Sequence, residues 1–97
     1  MSVMVMLEVP VLKAKMEGFL DVVRELLKET RAYDGCQKVE TFVEEESGRV
    51  ILMELWETAG HHQACHNWRM ENGLVDALSE FVAGGVQPRT FSIRQDV

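Results

Sequence analysis

The chain has 97 residues, enough for one domain with a modest core, and 46% of them are apolar. Its net charge of −6, with ten Lys and Arg scattered along it, argues against nucleic acid and anionic membrane as partners, which both need clustered cations. No apolar run approaches the roughly 20 residues a bilayer demands, no secretory signal is read, and Cys36 and Cys65 form neither a disulfide framework nor a CxxC site. The expectation is a single-domain cytoplasmic protein spanning residues 1–97 with two reduced thiols.

In chain order, residues 3–9 read as a strand with Val3, Val5, Leu7 and Val9 on one face and Met4 and Met6 on the other. Only Glu8 interrupts, so both faces are expected to be buried. Pro10 ends the ladder because it has no N–H to donate. Over residues 12–30 the period lengthens to that of a helix. Met16, Phe19, Leu20, Val23, Leu26, Leu27 and Thr30 form one stripe, with Lys, Glu, Asp and Arg opposite. Asp34-Gly35 turns the chain.

Residues 36–44 alternate as a second strand, and Glu45-Glu46-Ser47-Gly48 makes a hairpin turn. Residues 49–57 form a third strand, again apolar on both faces through Val50-Ile51-Leu52-Met53. Thr58 is a good N-cap for a helix that breaks at Asn72-Gly73. A second helical piece carries Leu74, Val75, Leu78, Phe81 and Val82 on one side, and Gly84-Gly85 ends it. Residues 86–95 supply the last strand.

The order β-α-β-β-α-β predicts an α+β fold of the ferredoxin-like kind. Two helical segments cover only one face of a four-stranded sheet. The first and third strands are apolar on both faces, so a second copy of the chain is expected against the open one. A homodimer packed sheet to sheet follows from that pattern.

Side chains able to do chemistry concentrate between Glu54 and Arg69. At about 100° per residue, His61, Ala64, Cys65 and Trp68 share one helix face, and the two apolar anchors make it the inward one. His62 and His66 then lie on an adjoining face. Histidine titrates near neutrality, so His61 beside a tryptophan is a candidate proton acceptor for a phenol or enol; the plainer alternative is a hydrogen-bonded core histidine. The pairs His62/His66 and His61/Cys65 each have i, i+4 spacing suited to a metal, but they fall on different faces and no third ligand can be named, so no metal is expected. Cys65 as a nucleophile would need a lowered pKa, and packing is its simpler role. Trp56 and Trp68 flank the same strand-to-helix junction. Arg69 and Arg89 are candidates to hold an enolate or anionic oxygen.

Two short motifs carry a resemblance. Thr30-Arg31-Ala32-Tyr33-Asp34-Gly35-Cys36 is similar to an Arg…Pro-Gly-Cys turn, and Glu54-Leu55-Trp56-Glu57-Thr58 is similar to a Glu-x-Trp-x-Ser/Thr segment. Together they make nearly the whole chain resemble the antibiotic biosynthesis monooxygenase (ABM) family, small dimeric α+β barrels that include quinol monooxygenases. Family members commonly carry a histidine nine residues after the strand-three tryptophan; here that position is Cys65, with His66 one step on. The resemblance implies a cofactor-independent monooxygenase that oxidises a small quinol- or anthrone-like aromatic with dioxygen. Under it His61 is the base, Trp56, Cys65 and Trp68 form the walls, and Arg69 stabilises an oxygen. The alternatives on the same fold are an isomerase, a haem-degrading enzyme, or a non-catalytic small-ligand-binding protein. Haem degradation is disfavoured because the first strand carries no asparagine of the kind those relatives use.

Overall fold

The computed structural model describes residues 2–97. Four strands form one antiparallel sheet: β1 (Val3–Pro10), β2 (Cys36–Glu44), β3 (Arg49–Trp56) and β4 (Gln87–Ser92), in the spatial order β2-β3-β1-β4. Three helices connect them: α1 (Met16–Ala32), α2 (Ala59–Glu71) and α3 (Leu74–Leu78). This is the ferredoxin-like arrangement, an α+β fold. The two strands that are apolar on both sides, β1 and β3, are the central pair. Central strands have no solvent edge and need apolar contacts on each face.

Register settles which residues face the helices. Val3 pairs with Trp56, Val5 with Glu54, Leu7 with Leu52 and Val9 with Val50, so these eight side chains share one face. Val39 joins them opposite Glu54, and an irregularity between Cys36 and Lys38 keeps Cys36 opposite Trp56. Helix α1 lays Phe19, Val23, Leu27 and Thr30 on this surface, and the first three form a core with Val9, Val11, Val39 and Val50. A smaller core of Val5, Trp56 and Cys65 lies under α2, with Tyr33 and Trp68 packed against it. On the other face Met4, Met6, Ile51, Met53 and Leu55 are half-buried, while Phe42 is 46% and Phe91 38% exposed. That apolar face is open in the single chain.

Element ends differ from expectation for local reasons. The helix expected from residue 12 starts at Met16, after a single 3-10 turn over Lys13–Lys15 in which the Lys15 N–H donates to the Leu12 carbonyl at 2.8 Å. It runs on to Ala32, where extended Tyr33 and left-handed Gly35 (φ 87°) turn the chain into β2. Thr58 caps α2 by accepting from the His61 N–H at 3.1 Å. Left-handed Gly73, at φ 83°, separates α2 from α3. Helix α3 stops at Leu78, short of Phe81 and Val82, because the chain there bonds to the end of β1. Leu12 N–H donates to the Phe81 carbonyl (2.8 Å) and Ala83 N–H to that of Pro10 (2.7 Å). Strand β4 covers only Gln87–Ser92: β1 is its one neighbour, and β1 ends its pairing at Val3 opposite Ser92. Among the described residues no helix is long and apolar enough to cross a membrane.

Candidate functional site

The phase of α2 decides what can react. Residues His62, Cys65, His66 and Arg69 follow the i, i+3, i+4, i+7 spacing and turn toward the sheet. His62 is 7% and Cys65 4% exposed. The face expected to turn inward, through His61, Cys65 and Trp68, is rotated by about one residue position. Cys65 belongs to both stripes, because a helix face is roughly 100° wide, so its burial is compatible with either phase. The cap breaks the tie. His61 sits in the first turn, where its Nδ1 lies 2.7 Å from the Thr58 hydroxyl and its Nε2 3.6 Å from an Asp34 carboxylate oxygen. Gly35 lies beneath its ring, where a Cβ would stand 2.3 Å from the His61 Cγ.

Between α1, α2, α3 and the sheet is a cavity of about 670 Å³. Most of its wall is aliphatic, with Leu7, Val23, Leu52, Leu74, Leu78 and Val82 among the contributors. Polar groups gather at the α2 end: Thr30, Glu54, His62, Cys65, His66 and Arg69. The rings of His62 and His66 lie 6.1 Å apart, centre to centre, and His62 meets the edge of Trp56 at 5.7 Å. Arg69 is fixed from several sides. Its Nη2 donates to Thr30 Oγ1 at 3.0 Å and to the Leu26 carbonyl, its Nη1 lies 3.6 Å from Glu29 Oε1, and its guanidinium stacks 4.6 Å from the Trp68 ring centre. A guanidinium held this way presents a fixed positive charge in a mostly aliphatic wall.

Burial sets the protonation states here. It pushes the His62 pKa below its ordinary 6.5, and the neighbouring His66 lowers it further, so His62 is a neutral base at pH 7. Burial raises Glu54 above its ordinary 4.5, while the hydrogen bond from Trp56 Nε1 (2.9 Å) and the charge of Arg69 oppose that rise. Cys65 is pushed up to about 11, chiefly by burial, and stays a thiol. Among the described residues no group of three or more His, Cys, Asp or Glu side chains is placed to hold a metal ion.

Of the residues singled out in the sequence, His62, Cys65, His66 and Arg69 line the cavity together. His61 does not: its hydrogen-bonding edge is turned to Thr58 and Asp34, at the α1-to-β2 turn. Trp56 is fully buried behind Glu54 and His62, and supports the cavity wall without forming it. Trp68 packs on Tyr33 at 5.5 Å and on the outer side of Arg69. Arg89 lies on the opposite sheet face, with Nη2 3.6 Å from the Met6 sulfur. Sequence reasoning gave Glu54 no role and weighed His62 only as one of a metal pair with His66. For Glu54 a signal existed: it interrupts the otherwise apolar series Val50, Leu52, Trp56 on the core face of a central strand. No such signal separated His62 from His61.

The sequence model of the family described as antibiotic biosynthesis monooxygenase matches residues 2–69. No curated protein matches the chain by sequence. Among solved structures, a conserved protein from Methanosarcina mazei Go1 is similar at 18% identity with a TM-score of 0.84, over 96% of this chain and 93% of that one. Two structures titled "putative antibiotic biosynthesis monooxygenase" are similar with TM-scores of 0.85. The one from Nitrosomonas europaea is 14% and the one from Caulobacter crescentus CB15 18% identical, each over 97% of this chain and 91% of its own. At these identities the likeness is one of fold.

Proposed function

Because the chain belongs to the antibiotic biosynthesis monooxygenase family, we propose that it is a monooxygenase that oxidises a small quinol- or anthrone-like aromatic with dioxygen and without a cofactor. The observation that carries this reading is a neutral, buried histidine, His62, facing a largely apolar cavity beside the fixed charge of Arg69. An acidic, electron-rich substrate loses a proton to His62, and the anion forms where Arg69 stabilises it. The anion passes one electron to dioxygen, and the resulting radical pair combines into a C–O bond. The proton on His62 returns to the peroxide, and loss of water leaves a new carbonyl. For a ring CH₂ the balance closes: one oxygen atom enters as C=O, the other leaves as water with the two hydrogens of that carbon. The protein supplies a base, a charge and exclusion of water.

His62 takes the role that the spacing alone assigned to His61, because only His62 and His66 line the cavity. The test is dioxygen uptake by metal-free protein with a panel of anthrones and hydroquinones, each corrected for spontaneous autoxidation. Uptake lost in His62→Ala and kept in His61→Ala supports the reading. No uptake with any member of the panel sinks it.

The same proposal includes a homodimer. Packing the open face around Met6, Met53, Phe42 and Phe91 against its copy removes apolar surface that a lone chain leaves in water. Light scattering is expected to give twice the chain mass of 11.1 kDa. A monomer at micromolar concentration refutes the sheet-to-sheet packing.

A further inference from the structure

The cavity is polar at its base and apolar at its mouth, and this order carries information about what enters. Glu54, His62 and Cys65 are all at most 7% exposed, whereas the lining residues Met70, Val75 and Val86 are 48%, 59% and 37% exposed. None of the exposed lining residues is charged, in a chain where 27% of residues are, and only Ser79 among them has a polar side chain. A compact polar substrate would leave this rim in water. A cavity of about 150 Å³ holds one benzene ring, so 670 Å³ has room for a ring and a substantial extension. Apart from the two histidines the only aromatic wall is Phe19, deep in the core, so the extension meets branched aliphatic side chains and methionine, not ring faces.

We infer that the cavity binds an amphiphilic phenol or quinol head first, with the acidic ring at His62 and Arg69 and an aliphatic chain running out past Leu78 to Met70, Val75 and Val86. The inference deepens the oxygenase reading and rests on it only for the acidic ring at the base. It names the substrate class as ring-plus-chain, since each methylene that follows the ring into the channel leaves water for apolar wall.

The test uses 4-alkylphenols from methyl to heptyl as probes, titrated calorimetrically, so that binding is read without turnover. The Kd is expected to fall roughly two- to fourfold per added methylene over the first several carbons. Val75→Glu and Gly85→Glu each place a charge on the mouth. Both positions are exposed, and a Cβ at Gly85 meets nothing within 4 Å, so neither substitution disturbs the core. Each is expected to flatten the dependence on chain length. A Kd independent of chain length in the native protein, or an equal slope in both variants, overturns the inference. Its failure is distinct from that of the oxygenase reading: oxygen uptake on compact anthrones with a flat binding series sinks only the chain. A steep series with no uptake from any quinol supports the chain and sinks the oxygenase.

Discussion

The functional reading depends on α2 presenting His62, not His61, to the cavity, and the contact between Gly35 and His61 tests that phase directly. Replacing Gly35 by Ala imposes two separate costs. At φ 87° a Cβ is strained by about 1–2 kcal/mol. The new methyl would also stand 2.3 Å from the His61 Cγ, so the ring must move and release its 2.7 Å contact with Thr58. Losing that hydrogen bond and repacking the ring adds about 1–2 kcal/mol. The sum is about 3 kcal/mol, or roughly 12–24 °C in Tm for a domain near 100 residues. In a His61→Gly background, which removes the ring and also the His61 Cβ that would stand 2.5 Å from the new methyl, the second cost vanishes and only the backbone strain of about 1–2 kcal/mol remains. Thermal and urea unfolding of the four proteins of this cycle measure the coupling, expected at about 1.5 kcal/mol. If Gly35→Ala costs the same in both backgrounds to within about 0.5 kcal/mol, His61 does not sit over Gly35, and the assignment of the base falls with it.

Three further outcomes are expected. The rate of oxygen uptake should rise with pH through an inflection below 6.5, because burial and His66 disfavour protonated His62 in the folded protein; a pH–rate profile with its acidic limb above 6.5 contradicts this. Glu54→Gln keeps an oxygen for the Trp56 N–H and removes a buried acid whose folded pKa is raised. The native chain has its full stability contribution from Glu54 below about pH 4.5 and loses it as pH rises through the raised value. The Tm of the variant relative to the native protein should therefore increase from pH 4 to pH 7, and a constant difference refutes the shift. With Cys65 pushed up to about 11 and Cys36 also raised by burial, neither thiol should react with iodoacetamide at pH 7 faster than free cysteine; rapid loss of Cys65, read by mass spectrometry, would reveal a thiolate.

Much of the fold is legible along the chain because its signals are local. The bounds of β2, the Thr58 cap and the turns at Gly35 and Gly73 each follow from side chains or φ preferences within a few residues. The two-sided apolar pattern of residues 3–9 and 49–57 likewise marks the central strands, since alternation in a strand reports both faces. Where a neighbour far along the chain decides, the pattern is silent. Phe81 and Val82 continue the stripe of α3, yet backbone bonds to Leu12 and Pro10 pull them out of it. Strand β4 is cut to six residues by the length of β1.

The site divides in the same way. The sequence by itself determines that the reactive side chains cluster between Glu54 and Arg69 on one strand-to-helix unit, because their spacing is a property of the chain. Which of them meet is a tertiary matter. A hydrophobic stripe places a helix only to within about one residue, and Cys65 satisfies both phases. The packing of His61 on Gly35, the edge of Trp56 against His62, and the anchoring of Arg69 on α1 through Thr30 choose between them. Those contacts join positions up to 39 residues apart, and no local preference encodes them.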